Sequence, residues 1–69
     1  MKQINTSQSI LRLINNKYLI IENYIEISDI TLNMIVTKYY RIEGDDLIVK
    51  KMDGYFIEIK GQIKKIISL

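Results

Sequence analysis

The chain contains no cysteine, histidine, proline, alanine or tryptophan, and only three glycines. Without cysteine there is no disulfide and no thiolate chemistry. Without histidine the commonest general base and metal ligand is missing. At 69 residues the chain is one domain at most, of a size that buries only about 60% of the surface its unfolded form exposes. Its fold must rest on the apolar core alone, with a margin of about 3–5 kcal/mol. Long apolar runs are also lacking: none approaches the ~18 residues of a membrane span. Ile10-Leu11-Arg12-Leu13-Ile14 is too short, and charged at its middle, for the apolar region of a signal peptide. A cytoplasmic location is therefore expected. Ten Lys+Arg against eight Asp+Glu leave a net charge of +2, too mild to imply nucleic acid by itself.

What is present is isoleucine, at sixteen positions, with tyrosine, valine and threonine. An A+T-rich coding sequence raises isoleucine, lysine, asparagine and tyrosine together, but it cannot order them. With alanine absent, this composition favours strands over helices. One phrase occurs three times, an isoleucine and a charge followed by a turn-former: Ile21-Glu22-Asn23, Ile42-Glu43-Gly44 and Ile59-Lys60-Gly61. Each copy is expected to close one β segment and lead into the next.

Residues 1–9 are polar and aperiodic and read as a flexible lead-in, leaving 10–69 as a single all-β domain. Ile10–Ile14 is either a short helix capped by Ser9 or the first strand of a hairpin. The hairpin is preferred, because Asn15-Asn16 tolerates positive φ and Lys17–Glu22 can return. Ile25 and Ile27 alternate with polar residues. In the next segment Ile30, Leu32, Met34 and Val36 share one face, against Thr31, Asn33, Ile35 and Thr37. Gly44-Asp45-Asp46 reads as a turn, after which Leu47 and Val49 resume the inward set. Asp53-Gly54 reads as a type I′ hairpin turn with positive φ at both positions. Tyr55, Ile57 and Ile59 follow, and Ile63 and Ile66 belong to a last strand.

The expectation is a small antiparallel β-sandwich or roll of seven or eight short strands. The competing architecture is a short β-solenoid with the three phrases as stacked corners. Their uneven spacing and the antiparallel pair demanded by Asp53-Gly54 count against it. Ile20, Ile35, Ile48 and Phe56 fall out of phase with the main apolar set. They are either covered within the monomer or form a second apolar surface for self-association as a homo-oligomer.

Gly44-Asp45-Asp46 matches the Gly-Asp-Asp of template-copying polymerases, but that site needs a far longer palm domain, and a turn explains it fully. Glu43, Asp45, Asp46 and Glu58 are the carboxylates that acid–base work or Mg²⁺ would draw on. With no recognisable nucleophile or oxyanion donor beside them, no catalytic, cofactor-binding or metal residue is assigned, and an enzyme is not expected. Tyr39-Tyr40-Arg41, Lys50-Lys51, Lys60 and Lys64-Lys65 interleave aromatics with cations. Single-strand nucleic-acid binders do the same, and so do edge strands protected by lysine.

In order along the chain, Leu11-Arg12-Leu13-Ile14-Asn15-Asn16, Leu19-Ile20-Ile21-Glu22-Asn23, Ile42-Glu43-Gly44-Asp45-Asp46-Leu47-Ile48-Val49-Lys50 and Ile57-Glu58-Ile59-Lys60-Gly61-Gln62-Ile63 resemble the YabP/YqfC family of bacterial sporulation proteins, the YqfC branch more closely. The resemblance runs from about Ile10 to the C-terminus. It departs where Tyr24-Ile25 replaces a basic, glycine-containing turn. It implies a non-enzymatic structural or adaptor protein of spore envelope (cortex or coat) assembly, in the mother-cell cytoplasm, with a sporulation membrane protein as partner. The alternative is a small β-barrel-like module binding single-stranded nucleic acid or an anionic membrane surface.

Overall fold

Asn15 and Asn16 both take positive φ, 52° and 55°, and turn the chain back between β1 (Ile10–Ile14) and β2 (Tyr18–Glu22). Asparagine is among the few non-glycine residues that accept this region cheaply, so the local chemistry selects the hairpin, and Ile10–Ile14 is a strand. The computed structural model describes residues 9–69; apart from Ser9, the expected lead-in lies outside the described residues. Ser9 itself is buried, and its hydroxyl donates to the Asn23 carbonyl at 2.7 Å. Asn23, at φ 59°, ends β2. Beyond it the Glu26 N–H donates to the Tyr24 carbonyl at 2.8 Å, leaving Ile25 at φ 71°, a strained position for a β-branched residue.

The segment from Ile30 to Thr37 is not one strand. β3 (Ile27–Ile30) and β4 (Met34–Thr37) form a hairpin around Thr31–Asn33. Thr31 Oγ1 accepts the Asn33 and Met34 N–H groups at 3.2 and 2.9 Å, so a threonine side chain closes a turn that has neither glycine nor proline. The reversal also changes which residues face inward. Ile35 and Thr37 are buried, whereas Ile30 and Leu32 are exposed. Ile35, expected to face away from the main apolar set, is part of the core.

β5 (Tyr40–Met52) and β6 (Phe56–Ser68) are each 13 residues long, and they run through two of the expected turns. Gly44-Asp45-Asp46 is not a turn but part of a bulged strand. Asp46 and Leu47 together stand against Gly61, with Asp45 paired to Gln62 and Ile48 to Lys60. Asp46 takes φ 54° and Gly61 φ 148°. Two more register shifts leave Lys64 unmatched on β6 and Lys50 unmatched on β5. Bulges bend a strand and deepen its twist, and the bend shows in the dimensions of the molecule. Thirteen residues laid straight would reach roughly 40 Å, yet the longest dimension of the molecule is 33 Å. Of the three repeated phrases, only Ile21-Glu22-Asn23 ends a strand; the other two mark the bend.

The strands make one antiparallel sheet in the order β1-β2-β6-β5-β4-β3. The fold is all-β and antiparallel as expected, but the described residues form six strands rather than seven or eight, because β5 and β6 each span what read as two. No neighbours are parallel, which excludes the solenoid. The first half of β5 pairs with β4 and the last part of β6. The second half of β5 pairs with the start of β6, whose other side holds β2. The bulges fold these two halves toward one another. Leu19 and Ile21 from β2, Ile35 from β4, Ile42 and Leu47 from β5, and Ile57, Ile59 and Ile63 from β6 close on a single core with Tyr24. The Tyr24 hydroxyl donates to the Asp53 carbonyl at 2.6 Å, which ties the β2–β3 link to the β5–β6 hairpin.

Candidate functional site: an open sheet edge

Among the described residues, folding one sheet over on itself leaves four edges. β1 and β3 end the strand order. The long strands outrun their outer neighbours and supply the other two. β4 covers β5 at Arg41–Glu43, and the β3–β4 turn reaches only as far as Leu47, whose N–H donates to the Leu32 carbonyl at 2.8 Å. β2 covers β6 at Phe56–Lys60, and the Asn15–Lys17 turn reaches only as far as Ile63, bonded to the Asn16 carbonyl at 2.8 Å.

An unpaired edge is a template for another strand, and proteins protect it with lysines, charges or bulges. The free stretch of β5 carries Lys50 and Lys51 and a bulge at Lys50; that of β6 carries Lys64 and Lys65. β3 has a bulge between Ile27 and Asp29, and the exposed Asp29. β1 has neither lysine nor bulge. Its pairing to β2 is regular over all five residues, and Ile10, Leu13 and Ile14 are 48%, 41% and 50% exposed. Its single charge, Arg12, is engaged: Nη2 lies 3.4 Å from Glu22 Oε2. Leu11 and Leu13 stand beside Ile21 and Leu19 on the core side, with Leu11 packed on the core rim. Ile10, Arg12 and Ile14 lie on the opposite face.

The carboxylates weighed from the sequence are dispersed among separate partners. The Asp45 carboxylate holds Lys64 Nζ at 2.8 Å, which keeps the Lys64 ammonium above its ordinary range. Glu58 accepts the Tyr18 hydroxyl. That bond, with some desolvation and the carboxylate's charge, raises the phenol's pKa. Glu43 lies 3.1 Å from Arg41 Nε, near enough for charge attraction but not aligned for a hydrogen bond. Asp46 sits in the bulge. Among the described residues no group of three Asp or Glu side chains is placed to hold a metal ion. The aromatic–cation run is divided in the same way. Tyr40 packs on the core, Lys38 Nζ stands 6.0 Å from the Tyr39 ring centre, and Lys60 and Lys65 project from different halves of the sheet.

Of the four out-of-phase residues, Ile35 is core, Ile20 and Phe56 are half-buried and Ile48 is 53% exposed. Cover within the monomer holds fully for Ile35 alone, while Ile20, Phe56 and Ile48 lie on the outer face of one half of the sheet. One shallow depression, about 570 Å³, lies between the Thr31–Asn33 turn and Lys64–Lys65, lined also by Met34, Glu43 and Gly44. The β1 edge is the feature that sequence periodicity missed. Its signal was present all the same: a strand-length run, Ile-Leu-Arg-Leu-Ile, without the lysine that protects the other long edges. Among the described residues no helix is long and apolar enough to cross a membrane. No protein-family model, no curated protein and no solved structure matches this chain.

Proposed function

We propose that this chain is a non-enzymatic structural or adaptor protein that acts through strand-edge contacts in the assembly of a spore envelope. The observation that carries the reading is β1, an apolar edge without lysine or bulge on a sheet whose other edges are protected. Leaving such an edge open invites aggregation, and a use for it in assembly is the simplest reason to keep it. The setting is supported by the four ordered motifs that resemble the YabP/YqfC family. The resemblance implies the mother-cell cytoplasm as the setting and a sporulation membrane protein as the partner.

The test is genetic. In a spore-forming source organism, the gene is expected to be expressed during sporulation. Its deletion, or Leu13→Lys in its place, should yield spores with a defective cortex or coat. Constitutive expression in growing cells, or intact spores from the deletion strain, would overturn the reading. The second reading, a module for single-stranded nucleic acid or anionic membrane, is favoured by the lysine pairs on the β5 and β6 edges. It requires a mobility shift with single-stranded DNA or acidic vesicles that weakens as salt rises. No binding at low salt disposes of it.

A further inference from the structure

We infer that the β1 edge pairs with β1 of a second copy, antiparallel, about a two-fold axis through Arg12. This rests on the strand-edge reading above and names the occupant. Ile10-Leu11-Arg12-Leu13-Ile14 reads the same in both directions, and an antiparallel partner presents the reversed sequence. With Arg12 opposite its copy, Ile10 meets Ile14 on the outer face and Leu11 meets Leu13 on the core-side face. Every side chain except the central one gains an apolar cross-strand neighbour, the pairing that stabilises sheets. The central clash of like charges is offset within each protomer, because Arg12 already lies 3.4 Å from its own Glu22 carboxylate.

A two-fold contact uses one patch twice, and β1 is self-complementary in the way this requires. The regular β1–β2 register keeps the edge straight enough to continue the sheet from one protomer into the next. The other edges do not share the property. Self-pairing of the β5 or β6 edge would bring lysine pairs together, and β3 is bulged. A five-residue strand pair buries well under the ~1,200 Å² of a stable interface, so the dimer forms and dissociates with concentration.

Sedimentation velocity on the full chain, from about 10 µM to about 1 mM, covers the range of such weak association. The wild type should pass from monomer to dimer and no further. Leu13 is 41% exposed at the rim, so Leu13→Lys should fold, as thermal melting will show. Because the residue occurs twice in the interface, the variant should weaken dimerisation by about 100-fold, roughly tenfold for each copy. Arg12→Glu supplies a second arm: alone it repeats the like-charge clash, whereas mixed with wild type it sets Glu against Arg. The mixture should form heterodimers beyond the statistical half, read by native mass spectrometry. A wild type that stays monomeric at 1 mM, dimers indifferent to Leu13→Lys, or random mixing with Arg12→Glu would each overturn the inference. So would a monomer whose β1 amides exchange slowly, which would mean that the edge is already covered within the protomer. Loss of dimerisation with no effect on spores would retain self-pairing and remove the proposed function. A monomeric protein whose Leu13→Lys variant still impairs spores would do the reverse.

Discussion

The three glycines do three different jobs, and only distances separate them. A Cβ on Gly44 would stand 2.0 Å from the Gln62 carbonyl oxygen, so an alanine there would force β5 and β6 apart at the bend. A Cβ on Gly61 would stand 2.6 Å from the Asp46 carbonyl oxygen, on a backbone at φ 148° that side chains avoid. Gly54 has nothing within 4 Å of a built Cβ, and its φ is not positive. Gly44→Ala and Gly61→Ala should therefore each destabilise by about 1–3 kcal/mol or more. Gly54→Ala should stay within about 0.5 kcal/mol of wild type. Urea denaturation of the three variants checks the ranking. The Asp-Gly pair suggested the opposite for Gly54, because dipeptide preference identifies a turn without fixing its type.

Among the elements, the β5–β6 hairpin shows how its turn differs from the one read from sequence. The first strand ends at Met52 as expected, but the return strand begins at Phe56 rather than Tyr55, and Gly54 and Tyr55, not Asp53 and Gly54, are the central residues. The turn is held by Asp53, whose Oδ1 accepts the Tyr55 and Phe56 N–H groups at 2.7 and 2.8 Å. Those bonds favour the ionised carboxylate, the Phe56 bond most, and hold its pKa below the usual range. A carboxylate with a lowered folded pKa contributes stability above its unfolded pKa and loses that contribution as pH falls through the folded value. Melting temperature should thus decline below about pH 4. The acid-side decline should be smaller in Asp53→Asn, whose amide oxygen can accept the same N–H groups without titrating. Melting curves from pH 7 to pH 2 read the difference. β4 teaches a related lesson: period-two alternation located a strand around Met34–Thr37, but grouped Ile35 with the outer face. Alternation gives two faces and no sign. Only the hairpin with β3, set by Thr31, decides that Ile35 goes in.

At the scale of the molecule, β5 and β6 cross both halves of the sheet, so neither half can unfold while the other keeps its core. Ile59 shows the coupling: it is fully buried and stands between Leu19 of β2 and Val49 of β5. The protein should unfold in one transition, with circular dichroism and tyrosine fluorescence coincident in urea. Ile59→Ala should remove about 2–5 kcal/mol, most of the margin of a chain this size, and leave it largely unfolded at 25 °C. Two separated transitions, or an unchanged midpoint for Ile59→Ala, would contradict this account of the core.

From residue types and their order alone it follows that the chain is β and that Leu47, Val49, Ile57, Ile59 and Ile63 share a face, and a reversal at Asn15-Asn16 is favoured over a short helix. These follow from local rules: side-chain branching, tolerance of positive φ, and a period of two. Only the tertiary structure decided that Gly44 and Gly61 bend strands instead of ending them. A glycine serves equally in a turn or a bulge, and the choice depends on what packs across from it. The same holds for the edge. Ile-Leu-Arg-Leu-Ile is an ordinary apolar run until the strand order places it outermost, with no described neighbour on its far side.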